Sequence, residues 1–281
     1  MVERRLVALA AIGAATLVNT PATAAPRWDE GWSRVTILEA SVTGGLAIGA
    51  YVGALAADGG APRWVGPILF DRSVRNAARV ASPSSQEAIT AVSDGLLYGM
   101  LAAPFATAAV MWAVHDDRDA ALQWAWIDAQ ALLFTDATIS LSKNLLRRER
   151  PDASAAGCEL RPLDPDCAKS VTKASFPSRH AGLSFAAASL LCSAHLRTPV
   201  AGTPADAFVC ASALTVATAV SVMRVIADRH YATDIVAGAF IGAAYGWLLP
   251  ALLHFHRRAP KVVIAPTPLP SGLGIAAVTT L

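Results

Sequence analysis

The chain has 281 residues, 54% of them hydrophobic and only 16% charged, where an ordinary soluble domain is about 25% charged. Its formal net charge of +2 is too small for a nucleic-acid footprint, and no basic stripe interleaved with aromatics accompanies it, so nucleic acid is excluded as a partner. The shortage of charge points to membrane segments or to an Ala-rich helical bundle.

Residues 1–24 read as a signal-like segment. Glu3, Arg4 and Arg5 give a charged start, Leu6 to Val18 an apolar run short for a bilayer, and Ala22-Thr23-Ala24 a small-x-small cleavage site. Export makes disulfides possible. Cys158 and Cys167 share one Pro-rich loop and are expected to pair. Cys192 and Cys210 lie in apolar segments and read as small core residues.

Six apolar stretches follow, at 35–57, 96–114, 124–142, 183–196, 207–226 and 235–254, and several approach the roughly 20 residues that span a bilayer. Their Ala, Gly, Ser and Thr content suits close helix packing. Alternating patterns are scarce, so the expected class is all-α, a six-helix bundle, transmembrane, after the signal-like segment. A soluble bundle is the competing reading, because the third stretch carries Asp128 and Asp136 and the fourth is short. The expected organisation is a region 25–93 with the first helix and a linker, a helical core 94–258, and an irregular Pro- and Gly-rich tail 259–281. The strongest linkers are 58–93 and 152–173.

Three polar clusters interrupt this background. Lys143 to Pro151 reads KNLLRRERP; on a helix Lys143 and Arg150 share a face, and Pro151 ends it. Taken alone, this is a basic membrane-edge anchor. Phe176-Pro177-Ser178-Arg179-His180 precedes the fourth stretch, with Ser178 placed as an N-cap. The amides after such a cap bind anions readily. Arg224, His230 and Asp234 lie between the fifth and sixth stretches. Asp234 is four residues from His230 and so is placed to accept its Nδ1 proton, which fixes the tautomer. The histidines are too scattered and the carboxylates too few for a metal site, and no cofactor is implied.

The spacing Lys143-x6-Arg150-Pro151, Pro177-Ser178-x-His180 and Arg224-x5-His230-x3-Asp234 resembles the signature of the type 2 phosphatidic acid phosphatase and vanadium haloperoxidase superfamily. The likeness covers roughly residues 90 to 255. It departs where the family usually has Gly, here Arg179, and Ser, here Met223. The resemblance implies a metal-independent hydrolase cleaving phosphate monoesters, such as lipid phosphates or polyprenyl diphosphates. In it His230 is the nucleophile that becomes phosphorylated, and His180 protonates the leaving alkoxide and later deprotonates water. Asp234 orients His230. Lys143, Arg150, Ser178, Arg179 and Arg224 bind phosphate. The alternatives are a vanadium-dependent haloperoxidase, which uses the same residues to hold vanadate, and a non-enzymatic membrane scaffold or transporter. The expected partners are a phosphorylated lipid or small phosphoester and a membrane. The expected location is the cell membrane with the site facing away from the cytoplasm, or alternatively the periplasm.

Overall fold

The computed structural model describes residues 27–56, 62–152 and 175–255, and the backbone of 261–269 and 272–280. The signal-like segment and the Cys158–Cys167 loop lie outside these residues. The helices are α1 (Ile37–Ala56), α2 (Asp71–Ala78), α3 (Pro83–Ala113), α4 (Arg118–Leu146), α5 (Arg179–Arg197), α6 (Thr203–Ile226) and α7 (Ala232–Ala243). A π turn (Ala244–Leu248) continues α7 into the short α8 (Leu249–Leu253).

Helices occupy all six apolar stretches. The described residues correct the sequence reading in three other places. The segment 58–93 is not all linker: it holds α2 and the first turns of α3. Pro83 sits in the first turn of α3, where its missing N–H removes no helix bond. The tail is not irregular, because Lys261–Leu269 and Gly272–Thr280 pair as an antiparallel hairpin. And α4 does not run to Pro151. It stops at Leu146, because Arg147 turns left-handed at φ 45°, so Lys143 and Arg150 do not share a helix face.

Local residues set the starts of α4, α5 and α6. Asp117 Oδ1 accepts from Ala120 N at 2.9 Å to open α4. Ser178 caps α5 through its contact with Ala181 N. Gly202, at φ 94°, makes the turn into α6.

The helix α5 is the centre of the fold and packs on α3, α4, α6 and α7. Its Ala- and Ser-rich surface is buried almost throughout. Three glycines four residues apart, Gly238, Gly242 and Gly246, lay α7 and the π turn directly on the α5 backbone. A Cβ on Gly242 would lie 2.0 Å from the Gly182 carbonyl oxygen, one on Gly238 2.3 Å from that of Ser178, and one on Gly246 2.4 Å from that of Ala186. This is the close approach that small residues at four-residue spacing permit. It also fixes the start of α5 against the start of α7, where two of the three polar clusters lie. Gly242→Ala is therefore expected to cost about 3 kcal/mol by overpacking against rigid backbone. A melting temperature within a degree or two of the parent, followed by circular dichroism, would contradict this.

Large apolar side chains face outward, among them Tyr98, Trp112, Phe208, Phe240 and Leu252. Among the described residues three helices are long and apolar enough to cross a bilayer, Pro83–Ala113, Thr203–Ile226 and Ala232–Leu253. Exposed apolar surface on this scale marks membrane or protein contact, and it fits membrane association. Cys192 and Cys210, read from sequence as small core residues, instead form a disulfide between α5 and α6, with Cα atoms 4.4 Å apart.

Candidate active site

The three polar clusters converge at one end of the bundle, where α4 and α6 end and α5 and α7 begin. The contact between α5 and α7 is direct: Ser178 N donates to the Asp234 carbonyl at 2.9 Å. His230 precedes α7 and is held by its own amide, which donates to the Arg224 carbonyl at 3.2 Å.

Asp234 is the third residue of α7, and Oδ2 accepts from Tyr231 N at 2.9 Å, closing a capping box. The same oxygen accepts from Ser175 Oγ at 2.5 Å and lies 3.5 Å from His230 Nδ1. The helix start thus carries the carboxylate toward the imidazole, as the spacing predicts. The ion-pair distance is nevertheless too long for a strong hydrogen bond, and the other Asp234 contacts are shorter.

One of these shorter contacts comes from a residue that sequence reasoning missed. Arg148 is fully buried and bridges two carboxylates, with Nη1 at 2.6 Å from Asp234 Oδ1 and Nη2 at 2.6 Å from Asp71 Oδ2. Its guanidinium lies between the rings of Trp64 and Tyr231, 4.2 Å from each centroid. Thr233 accepts from Arg148 and donates to Asp71. The sequence hint was that α2 begins with an aspartate inside a segment read as linker, which gave no reason to pair it with one of four adjacent charged residues.

The expected phosphate ligands gather around His230. Burial comes first, then the cations Arg150, Lys143 and Arg224, in holding the His230 imidazole well below its ordinary value. Lys143, in the last turn of α4, is pushed down to about 7 by burial and by Arg150. Burial likewise lowers Arg150. Arg150 Nε, Arg224 Nε and His230 Nδ1 are all buried and have no hydrogen-bond partner among the described residues. Such convergence of under-satisfied donors is costly unless an anion completes it.

Three of the expected site residues, the ligands Arg179 and Arg224 and the acid–base His180, have carboxylate partners of their own. The Arg179 side chain is half exposed and forms a fork with Asp136 of α4, Nη2 to Oδ2 at 2.6 Å. Its backbone amide remains in the first turn of α5. His180 Nε2 lies 2.6 Å from Oδ1 of Asp94 on α3, and Arg224 Nη1 donates to the same oxygen at 3.0 Å. Asp94 was not singled out in the sequence, because α3 carries no part of the three clusters. Among the described residues no group of His, Cys, Asp and Glu could hold a metal ion.

The bundle thus carries a histidine–carboxylate pair and converging cations at one end, an arrangement suited to binding an anion. Residues 124–258 match the family model described as the PAP2 superfamily. Those residues hold all three clusters; α1, α2, α3 and Asp94 lie before them. No curated protein and no solved structure matches the chain. Members of that superfamily generally hydrolyse phosphate esters, and the match suggests phosphatase-type chemistry.

Proposed function

We propose that this chain hydrolyses phosphate monoesters carried on a lipid, through a phosphohistidine formed at His230. The observation that carries the reading is the set of buried, partnerless donors around His230, supplied by Arg150 and Arg224 with Lys143 beside them. A phosphate monoester brings close to two negative charges and several acceptor oxygens. Arg forks match those oxygens, and Lys143 regains its full charge beside a dianion.

His230 is the nucleophile. Its depressed basicity keeps the ring neutral, and so nucleophilic, into the mildly acidic range in the free enzyme. Asp234 stands 3.5 Å from Nδ1, and the contact tightens as positive charge develops on the ring during transfer. His180 protonates the leaving oxygen, then takes a proton from the water that releases phosphate. Lys143, Arg150, Arg224, Ser178 and the amide of Arg179 hold the phosphoryl oxygens; the Arg179 side chain, drawn to Asp136, sits at the rim. Positioning and charge stabilisation supply most of the catalysis of phosphoryl transfer.

A lipid rather than a soluble ester is favoured by an apolar groove of about 320 Å³ between α1 and α4. Ala47, Ile48, Tyr51, Leu133 and Ala137 line it, and it reaches Asp136, which holds Arg179 next to His180. A hydrocarbon chain in the groove would direct its headgroup toward Arg179 and the start of α5. The Cys192–Cys210 disulfide supports maturation in an oxidising compartment, in keeping with a membrane enzyme whose site faces away from the cytoplasm.

The test is alkaline quenching during turnover of a ³²P-labelled lipid phosphate, since phosphohistidine survives base. Label on His230 is expected, with turnover unaffected by EDTA. Label on another residue, or turnover with no trapped label under single-turnover conditions, would overturn the mechanism. Faster turnover of a short soluble ester than of a long-chain lipid phosphate would overturn the lipid assignment.

A further inference from the structure

We infer that Asp94 is a positioning residue for the acid–base histidine, holding His180 by Nε2 so that Nδ1 is the nitrogen that exchanges protons with the leaving group. The inference rests on the hydrolase reading above and adds to it a residue from outside the matched segment.

The geometry is specific. Asp94 Oδ1 lies 2.6 Å from His180 Nε2, and Arg224 Nη1 donates to that oxygen at 3.0 Å. One turn of α3 is anchored at this level, because the buried neighbour Ser93 donates through Oγ to the Val220 carbonyl of α6 at 3.2 Å. The Asp94 backbone is therefore fixed relative to Arg224 on the same helix α6. The carboxylate is 42% exposed while the His180 side chain is 19% exposed, so solvent reaches the pair from the Asp94 side.

The consequence for the chemistry is direct. Burial and the Arg224 charge push His180 down to about 4, and Asp94 is the neighbour that opposes them. An imidazole with only cations around it would be a poor proton carrier, because its charged form would hardly exist. Nε2–H donated to a carboxylate stabilises the imidazolium relative to a ring faced by cations alone. Nδ1–H then passes its proton to the ester oxygen as the P–O bond breaks and the bond from phosphorus to His230 Nε2 forms. The neutral His180 that remains still donates Nε2–H to Asp94, and Nδ1 is free to accept a proton from the attacking water. Arg224 thereby serves two partners, with Nη1 on Asp94 and its other nitrogens directed to phosphate oxygens.

The experiment compares Asp94→Asn with the parent enzyme on two esters that share a phosphoryl group and differ in leaving group, an alkyl phosphate and p-nitrophenyl phosphate. Asparagine keeps the size and a hydrogen bond but removes the charge. Because kcat/KM covers only steps through transfer to His230, it isolates the protonation of the leaving group. The expected loss is roughly 10²-fold for the alkyl ester, the scale of a general acid, and under about threefold for the nitrophenyl ester, which leaves without a proton. Inhibition by vanadate should change little, and this also reports that the variant is folded. Equal losses on both esters with vanadate inhibition intact would overturn the positioning role. So would a gain on either ester, which would mark Asp94 as a competitor for Arg224. If the parent trapped label on His230 but showed no leaving-group dependence that Asp94→Asn altered, the hydrolase reading would stand and this inference would fall. A parent with no activity on either ester would overturn both.

Discussion

His230→Ala is expected to reduce turnover by at least about 10⁴-fold, because removing a covalent nucleophile leaves no alternative route of similar barrier. Binding should survive much better. Lys143, Arg150 and Arg224 remain around the position, so inorganic phosphate or vanadate should bind within about tenfold of the parent, the loss of a single contact. The separation of the two effects is the informative part. Asp234→Asn tests the same site from the other side of the ring. Asp234 sits 3.5 Å from His230 Nδ1 but is bonded more tightly to Ser175, Tyr231 N and Arg148. An amide at that position presents a donor where acceptors are needed, and it favours the wrong imidazole tautomer. Its kcat should fall by more than about 10²-fold with KM little changed. A His230→Ala variant that turned over at near-parent rates would remove the phosphohistidine mechanism altogether.

The helical class was legible in this chain because apolar periodicity survives folding almost unchanged. Each of the six apolar stretches is helical, and their polar interruptions mark the end of the bundle where the clusters meet. The start of α5 was legible for a local reason: Ser178 is an N-cap residue followed by helix formers, and it caps in the structure. The same locality explains the approach of Asp234 to His230, since four residues at a helix start place a side chain back over the preceding turn.

What was not legible depends on contacts distant in sequence. The end of α4 turns on Arg147 adopting a left-handed backbone, which no residue type there announces, since glycine or asparagine is the usual signal. The stop comes because Arg148 is drawn inward to Asp71, 77 residues earlier, and Asp234, 86 residues later. Neither partner can be inferred from the basic run itself, whose plainest reading is a membrane anchor. Asp94 was missed for the same reason: one carboxylate near the start of an apolar helix looks like a solvated end until α3, α5 and α6 are set side by side. Cys192 and Cys210 were read as core residues because both stretches are apolar; only the packing of α5 on α6 brings them into bonding distance. The Cys158 and Cys167 pairing, expected from their shared loop, falls on residues outside those described.

Arg148→Ala is expected to destabilise the protein by about 3–5 kcal/mol, the usual result of removing one partner from a buried ion pair. The case for the upper half of that range is that one guanidinium serves two carboxylates. Asp71 and Asp234 are both fully buried, and each accepts from Arg148 at 2.6 Å. Alanine would leave two anions facing each other across a space lined by Trp64 and Tyr231, with the stacking on both rings also lost. For a domain of this size the melting temperature should fall by roughly 10 °C or more. Arg148→Lys keeps the charge, yet a single ammonium cannot reproduce a fork that spans two carboxylates, so it should recover only part of the loss. Substitutions at Arg150 or Arg224 should behave differently. Among the described residues neither bridges two fully buried carboxylates as Arg148 does, and the one Arg224 ion pair is to the 42% exposed Asp94, so phosphate binding should weaken while thermal stability falls much less. The decisive measurement is a double-mutant cycle of Arg148→Ala with Asp71→Asn. If Arg148 acts through the paired carboxylates, neutralising Asp71 should restore a substantial share of the stability lost, giving a coupling of more than about 1 kcal/mol. Activity should not return with it, because Asp234 still lacks the guanidinium that fixes its orientation toward His230. Strict additivity, or an Arg148→Ala variant as stable as the parent, would show that the buried triad is not what joins α2, α4 and α7 beneath the site.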